Sequence, residues 1–273
     1  SLNKMNEIIN YKLHNLKRIR SVQKWDNFNY LKKLSAERLH ERLFEIKRNF
    51  NLGLDIGCHS GEFGTLIKNK KKIKELIQVD TVFEFCKNSK KTNFPSINVN
   101  NKELPFREYQ FDIVISNFYF HWIRDVPKIL TQIRNFLKPN GLLLINFLGG
   151  KTLRELQINL IDIEMKLLGG SSPRVIPFID IRSAGALAQN TGFKLPVVDS
   201  EIINITHTNI NSLFHDLRGM GETNCMTSIY KPLKRVVTKE LENRLINDKI
   251  INTVFELITI TACLLYTSPS PRD

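Results

Sequence analysis

Between residues 50 and 148, short apolar segments alternate with segments of helical periodicity, and this alternation limits the chain more than any other feature. Leu52-Gly-Leu-Asp-Ile56 reads as a strand, and a glycine-containing loop and a helix from Gly61 to about Asn69 follow it. Leu76 to Val79 is the second strand, closed by Asp80, and Phe83 to Ser89 is a short helix. Ser96 to Val99 and Phe111 to Ile115 are further strands, and the latter is apolar on both faces and so central. Asp125 is positioned to cap a helix ending at Leu137, with Pro127 in its permitted first turn. Lys138-Pro-Asn-Gly141 is expected to turn the chain into a fifth strand, Leu142 to Phe147. Strand and helix in alternation predict an α/β fold, a doubly wound and mostly parallel sheet with right-handed crossovers.

The flanking segments differ. Residues 1–34 form a basic arm with Trp25, Phe28, Tyr30 and Leu31 as anchors, and Ser35 is expected to cap a helix to Ile46. The run Lys68 to Lys74 is expected to be the solvated end of a helix. A core domain spans 35–148. The segment 149–262 opens with a helix, Thr152 to Leu168, and continues with helices at Ala184 to Thr191, Ile210 to Arg218 and Lys231 to Leu245. Strands are expected at Val197 to Ile205 and Ile250 to Ile260. Residues 263–273 read as translated sequencing-adapter sequence, which would place the last native residue at Ala262. The first residue is Ser1, with Met5 as an alternative start.

Net charge is +13, and the first 50 residues hold twelve Lys/Arg against five Asp/Glu. Such a surface suits nucleic acid, an acidic lipid surface or an acidic partner, but a Lys/Asn/Ile-rich composition with a merely solvated face is the expected reading. No aromatic-interleaved motif points to specific nucleic-acid binding. No apolar run reaches the length of a membrane span, and the N-terminus lacks the apolar segment of a signal peptide. Cys58, Cys86, Cys225 and Cys263 form no CxxC pair, so neither a zinc site nor a disulfide framework is expected. No His/Asp/His or Cys grouping suggests another metal.

The first strand–loop–helix carries the chemistry. In an open α/β sheet, ligands bind beyond the carboxyl ends of the strands. Gly57 and Gly61 let backbone approach a ligand, Asp55 orients the loop, and Asp80, ending the second strand, can accept two ribose hydroxyls. Elsewhere His121 is a candidate base beside Trp122, whereas His207 and His215 have no evident partner. Gly219 and Gly221 suggest a bend that gathers Asp216, Arg218, Glu222 and Asn224 into a lid. Asp216 or Glu222 could pair bidentately with a guanidinium, with Arg218 and Asn224 as further substrate contacts.

The Asp55-x-Gly57-x-x-x-Gly61 loop, Leu104-Pro-Phe106, Phe111-Asp-Ile-Val-Ile-Ser116-Asn117, His121-Trp122 and Leu137-Lys-Pro-Asn-Gly141 together resemble class I methyltransferases of the type 11 group. The resemblance implies a seven-stranded Rossmann-like sheet with a helical C-terminal insertion or lid. It also implies S-adenosylmethionine held by Asp55, Gly57, Gly61 and Asp80, with an adenine contact at Asn100 and a wall at Ser116 and Asn117. Two residues depart from that pattern: His59 stands where the family has Gly, and Asn100 where it has Asp. His59 adds bulk that would weaken cofactor binding or displace the loop.

Phe147-Leu-Gly-Gly150, Ser172-Pro-Arg-Val-Ile-Pro177 and Leu217-Arg-Gly-Met-Gly-Glu-Thr-Asn-Cys225 resemble the complex I assembly factor 5 family, as does Phe28-Asn-Tyr-Leu31. That resemblance implies hydroxylation of an arginine on an iron–sulfur subunit of complex I. It implies action in the bacterial cytoplasm at the inner face of the membrane, or on the matrix side in a eukaryote. Two alternatives stay open. One is a methyltransferase resembling the malonyl-carrier-protein O-methyltransferases; the other is a non-catalytic assembly chaperone.

Overall fold

The computed structural model describes residues 9–99, 103–123, 125–227 and 232–264. In chain order, α1 is Tyr11–Val22, α2 Trp25–Phe28 and α3 Tyr30–Glu45, followed by β1 Phe50–Ile56, α4 Glu62–Ile67, β2 Ile73–Asp80 and α5 Phe83–Ser89. Then come β3 Ser96–Asn98, β4 Phe111–Ser116, α6 Val126–Phe136, β5 Leu137–Leu148, α7 Arg154–Leu168 and α8 Ile181–Asn190. The last elements are β6 Lys194–His207, α9 Ile210–Gly219, α10 Arg235–Leu245, β7 Ile246–Asn247 and β8 Ile250–Cys263.

These strands make one sheet in the order β3-β2-β1-β4-β5-β8-β6, and the two-residue β7 pairs with β8. The neighbours β3, β2, β1, β4 and β5 are parallel, with Leu54 opposite both Ile77 and Val114. Reciprocal bonds between Asn140 or Gly141 and Leu264 set β8 antiparallel to β5. The doubly wound, mostly parallel sheet expected from the sequence is present, with the short β7 in addition to seven strands.

The chain forms two compact units. One holds Leu31–Phe147, Ile181–Ser200 and the residues from Ile258; the other holds the residues up to Tyr30, Leu148–Asp180 and Glu201–Leu257. In the first, Ala36, Leu39 and Leu43 on one face of α3 pack with Phe63, Ile67, Leu76, Ile113 and Leu144, all buried. In the second, α9 starts where Asn209 and Ser212 form a reciprocal cap, and Leu213 and Leu217 are buried.

Local chemistry explains the boundaries. Asp125 Oδ1 accepts from Lys128 N at 3.0 Å, so α6 begins where the sequence placed it. Three expectations are corrected. Helix α3 begins at Tyr30, and Ser35 lies buried inside it, where its carbonyl accepts from Asn146 Nδ2 at 2.9 Å. Ile73 and Lys74 belong to β2, and Lys72 is buried, its ammonium on the Ile46 carbonyl. Lys138-Pro-Asn-Gly141 is a bulge inside β5: the register passes from Phe111 opposite Leu137 to Ile113 opposite Leu142. Asn140 takes the positive φ of 61° that the bulge needs. Residues 265–273 of the adapter-like tail lie outside the described residues; Cys263 closes β8.

Candidate functional site

The loop from Gly57 to Gly61 leaves the carboxyl end of β1, beside the end of β2. Gly57 (φ 74°) and Gly61 (φ 81°) both take conformations that strain residues bearing a Cβ. At Gly57 a Cβ would lie 2.2 Å from Tyr119 Cγ, and at Gly61 2.7 Å from Thr92 Cγ2. The backbone N–H groups of Gly57 and Cys58 both donate to the Val79 carbonyl, at 2.8 and 3.0 Å, and tie the loop to β2.

Asp55, Asp80, Ser116 and Asn117 are all buried around this loop. Asp80 Oδ1 accepts from Val82 N at 2.8 Å and Oδ2 from His59 N at 3.1 Å. Ser116 Oγ donates to the Ile56 carbonyl at 2.6 Å, and Asn117 Nδ2 to the Lys32 carbonyl at 2.8 Å. Neither oxygen of Asp55 has a hydrogen-bond partner among the described residues, and the same holds for Ser60 Oγ and Asn117 Oδ1. Burial, aided by Glu62 and then Asp80, pushes the Asp55 carboxyl well above the usual carboxylate range. Burial likewise raises the Cys58 thiol, so Cys58 is not a thiolate nucleophile. Asn100, the expected adenine contact, lies outside the described residues.

Sequence reasoning missed three residues here. Lys32, on α3, is 1% exposed, and its Nζ lies 3.2 Å from His59 Nε2 and 5.0 Å from the centre of the Phe118 ring. Tyr119 covers Gly57, and its ring meets His59 edge-on at 5.9 Å. Asn146 accepts from the backbone of Phe118, which holds the unusual φ of 54°. None of the three falls in a glycine- or acid-containing motif; only the fold gathers them. His121 is half-buried in the turn Phe120–Trp122, with its ring 5.4 Å from Phe118 and 5.7 Å from Trp122.

The residues around Gly219 lie in the other unit. Asp216 Oδ2 accepts from Tyr30 Oη at 3.1 Å and faces His207 Nε2 at 3.1 Å. Burial and Asp216 raise the Tyr30 hydroxyl pKa. His207 therefore has the partner that the sequence did not reveal. Asn224 donates to the Pro173 carbonyl and accepts from Met226 N, both at 2.9 Å, and so braces the backbone. Arg218 is exposed and Glu222 half-buried. The glycines have packing reasons. A Cβ at Gly219 would sit 2.1 Å from the Phe28 ring, and Gly221 (φ 73°) ends α9, with Glu222 N bonded to the Leu217 carbonyl at 2.9 Å. Burial raises the Cys225 thiol to about 11. Among the described residues, no group of three His, Cys, Asp or Glu side chains could hold a metal. No described helix is long and apolar enough to cross a membrane.

Comparison with known proteins adds the family. The methyltransferase-domain pattern matches residues 28–197. The chain is 38% identical over 200 residues to the human protein named arginine-hydroxylase NDUFAF5, mitochondrial; the match covers 72% of this chain and 58% of that protein. It is 26% identical over 213 residues to malonyl-[acyl-carrier protein] O-methyltransferase 1 of Coxiella burnetii, covering 78% and 72%. The chain thus spans 58% of the length of the human relative. Among solved structures, the YcgJ protein of Bacillus subtilis aligns with a TM-score of 0.57 at 15% identity, covering 84% of this chain and 98% of that one. Phosphoethanolamine N-methyltransferase 2 of Haemonchus contortus, in complex with S-adenosyl-L-methionine, aligns with a TM-score of 0.52 at 16% identity, covering 85% and 52%. At such identities these two likenesses concern the fold alone. By its sequence pattern over residues 28–197, this chain belongs to the methyltransferase-domain family.

Proposed function

We propose that this chain binds S-adenosylmethionine at the Gly57–Gly61 loop and modifies an arginine of a protein substrate by hydroxylation, during assembly of respiratory complex I. The observation that carries the reading is the 38% identity over 200 residues to the arginine hydroxylase, against 26% to the malonyl-carrier-protein methyltransferase. The loop fits the cofactor. The fully buried Asp55 carboxyl, without a hydrogen-bond partner among the described residues, suits the ammonium of an amino acid, and Ser60 Oγ and Asn117 Oδ1 supply further polar positions. Asp80, at the carboxyl end of β2, is the candidate acceptor for ribose hydroxyls. Gly57 and Gly61 allow a close approach of backbone. When bound, the cofactor would supply an electrophilic methyl group or a charged sulfonium; it is not an oxidant, so hydroxylation would take its oxygen atom from dioxygen, with two electrons and two protons from an external reductant releasing the second oxygen as water.

This chain's residues bind and orient. Asp216, Arg218, Glu222 and Asn224 remain the candidate substrate contacts, with His121, Asp216 and Glu222 the candidate catalytic groups. Tyr30 and His207 fix one oxygen of the Asp216 carboxylate. A fixed carboxylate is a suitable acceptor for a guanidinium. The partner is then an iron–sulfur subunit of complex I, met in the mitochondrion in a eukaryotic source or at the cytoplasmic side of the membrane in a bacterial one.

Mass spectrometry of candidate complex I subunits incubated with the full chain tests this reading. One added oxygen atom on an arginine is expected. One added methylene on any acceptor would instead support the methyltransferase alternative, and no change would leave the assembly chaperone. Glu222→Ala is expected to abolish the modification, and full modification by that variant would remove Glu222 from the site.

A further inference from the structure

We infer that the chain pairs with a second copy of itself through helix α7, the two helices antiparallel and the last turn of each seated in a pocket beside the first turn of the other. Helix α7 is apolar on two faces. Leu156, Leu160 and Ile163 are buried. At about 100° per residue, Ile158, Ile161, Met165 and Leu168 lie on the opposite side, and they are 36–55% exposed. Their spacing of i, i+3, i+7 and i+10 is the seam that one helix offers another. A helix apolar all round is a helix covered all round, and an exposed apolar stripe of this length marks an interaction surface.

The two ends of the stripe complement each other. Past Leu168, a Cβ on Gly169 or Gly170 would meet nothing within 4 Å, so the last turn stands clear of the rest of the chain. At the first turn, Leu153, Ile158, Leu245 and Val254 line a pocket of about 390 Å³ together with the exposed Lys151 and Arg154. All these residues belong to one compact unit. Ile158 and Leu168 are about 15 Å apart along the helix, so α7 cannot fill its own pocket. A twofold antiparallel pair sets Leu168 of each copy against Ile158 of the other, with Ile161 against Met165 between them. It also brings the partly negative carbonyls of each helix end to Lys151 and Arg154, whereas a parallel pair would oppose Arg154 to itself. Asp162, beside the seam, is neutralised within its own chain by Lys166 at 2.8 Å and Arg244 at 2.6 Å. The exposed parts of Ile158, Ile161, Met165, Leu167 and Leu168 amount to roughly 400 Å², near the apolar half of the roughly 800 Å² that each partner of a stable complex buries.

Sedimentation equilibrium of the full chain over a range of concentrations measures the pairing, with thermal melts of each variant alongside. The wild-type chain is expected to be a dimer. Ile161→Glu, an exposed substitution that puts a charge into the middle of the seam of both copies, is expected to raise the dimer dissociation constant at least about a hundredfold while the chain stays folded. Cross-linking checks the direction and carries the test should Ile161→Glu fail to fold. Ile158→Cys chains mixed with Leu168→Cys chains are expected to form a disulfide-linked dimer on mild oxidation, and neither variant alone is expected to do so, because a disulfide needs Cα atoms within about 7 Å. A monomeric wild-type chain would overturn the inference, including one that instead binds lipid vesicles or a complex I subunit through this helix. So would a dimer that Ile161→Glu leaves intact, or single variants that cross-link as readily as the mixture.

Discussion

Asp55 illustrates how a single residue can be at odds with the fold that buries it. Its carboxyl is fully buried and unpartnered among the described residues, and burial, Glu62 and Asp80 all raise its pKa above 3.8. In the unfolded chain it ionises at the ordinary value. Its share of stability is therefore fully present below that value and is lost as pH rises toward the folded-state pKa. Urea midpoints of the ligand-free chain should fall as pH increases from about the ordinary carboxylate pKa of 3.8. Asp55→Asn should flatten that fall, because an amide does not ionise. Parallel pH profiles of the two proteins would contradict this account of the carboxyl. Gly57 carries the opposite constraint. Gly57→Ala combines a positive φ with a Cβ 2.2 Å from Tyr119, and should cost about 2–5 kcal/mol, read as a lowered urea midpoint. Asp55 and Gly57 were legible in the sequence because their residue types are those the chemistry requires. Lys32 was not, because a lysine in a basic segment looks solvated until the fold buries it.

At the scale of elements, legibility followed the apolar pattern. Helix α6 and strand β4 were read nearly to the residue, since Asp125 marks a start and five consecutive apolar or half-buried positions mark a central strand. Helix α1 was read only as part of a basic arm. Its buried residues are His14, Arg18 and Ser21, so its inward face shows no apolar periodicity. The β5 bulge looked like a turn because its Asn-Gly pair serves either purpose. The segment around Gly219 looked like a lid, and its packing supplies a different account of the glycines. Gly219 sits against the Phe28 ring, and Gly219→Ala should lower stability by about 1–3 kcal/mol through overpacking. Combining it with Phe28→Leu should return part of that loss, since the two residues share one space. Strict additivity of the pair in thermal melts would show that they do not.

For the whole molecule, the sheet order was within reach of the sequence and the division into two units was not. Strand alternation and right-handed crossovers fix a doubly wound sheet, but each unit draws on three separated stretches of chain, and no composition shift marks such a division. Function follows the same division of legibility. The cofactor loop was visible as a motif, whereas its polar demands, an Asp55 without a hydrogen-bond partner among the described residues and a buried Lys32 on His59, emerge only in three dimensions. The central claim is that this loop is a working S-adenosylmethionine site despite His59 in the place of a glycine. Equilibrium dialysis of the full chain against radiolabelled S-adenosylmethionine tests it directly, with Asp55→Ala as the comparison. Saturable uptake of one ligand per chain, weakened at least about tenfold by Asp55→Ala, is the predicted result; no uptake by the wild-type chain, or equal uptake by both proteins, would contradict it.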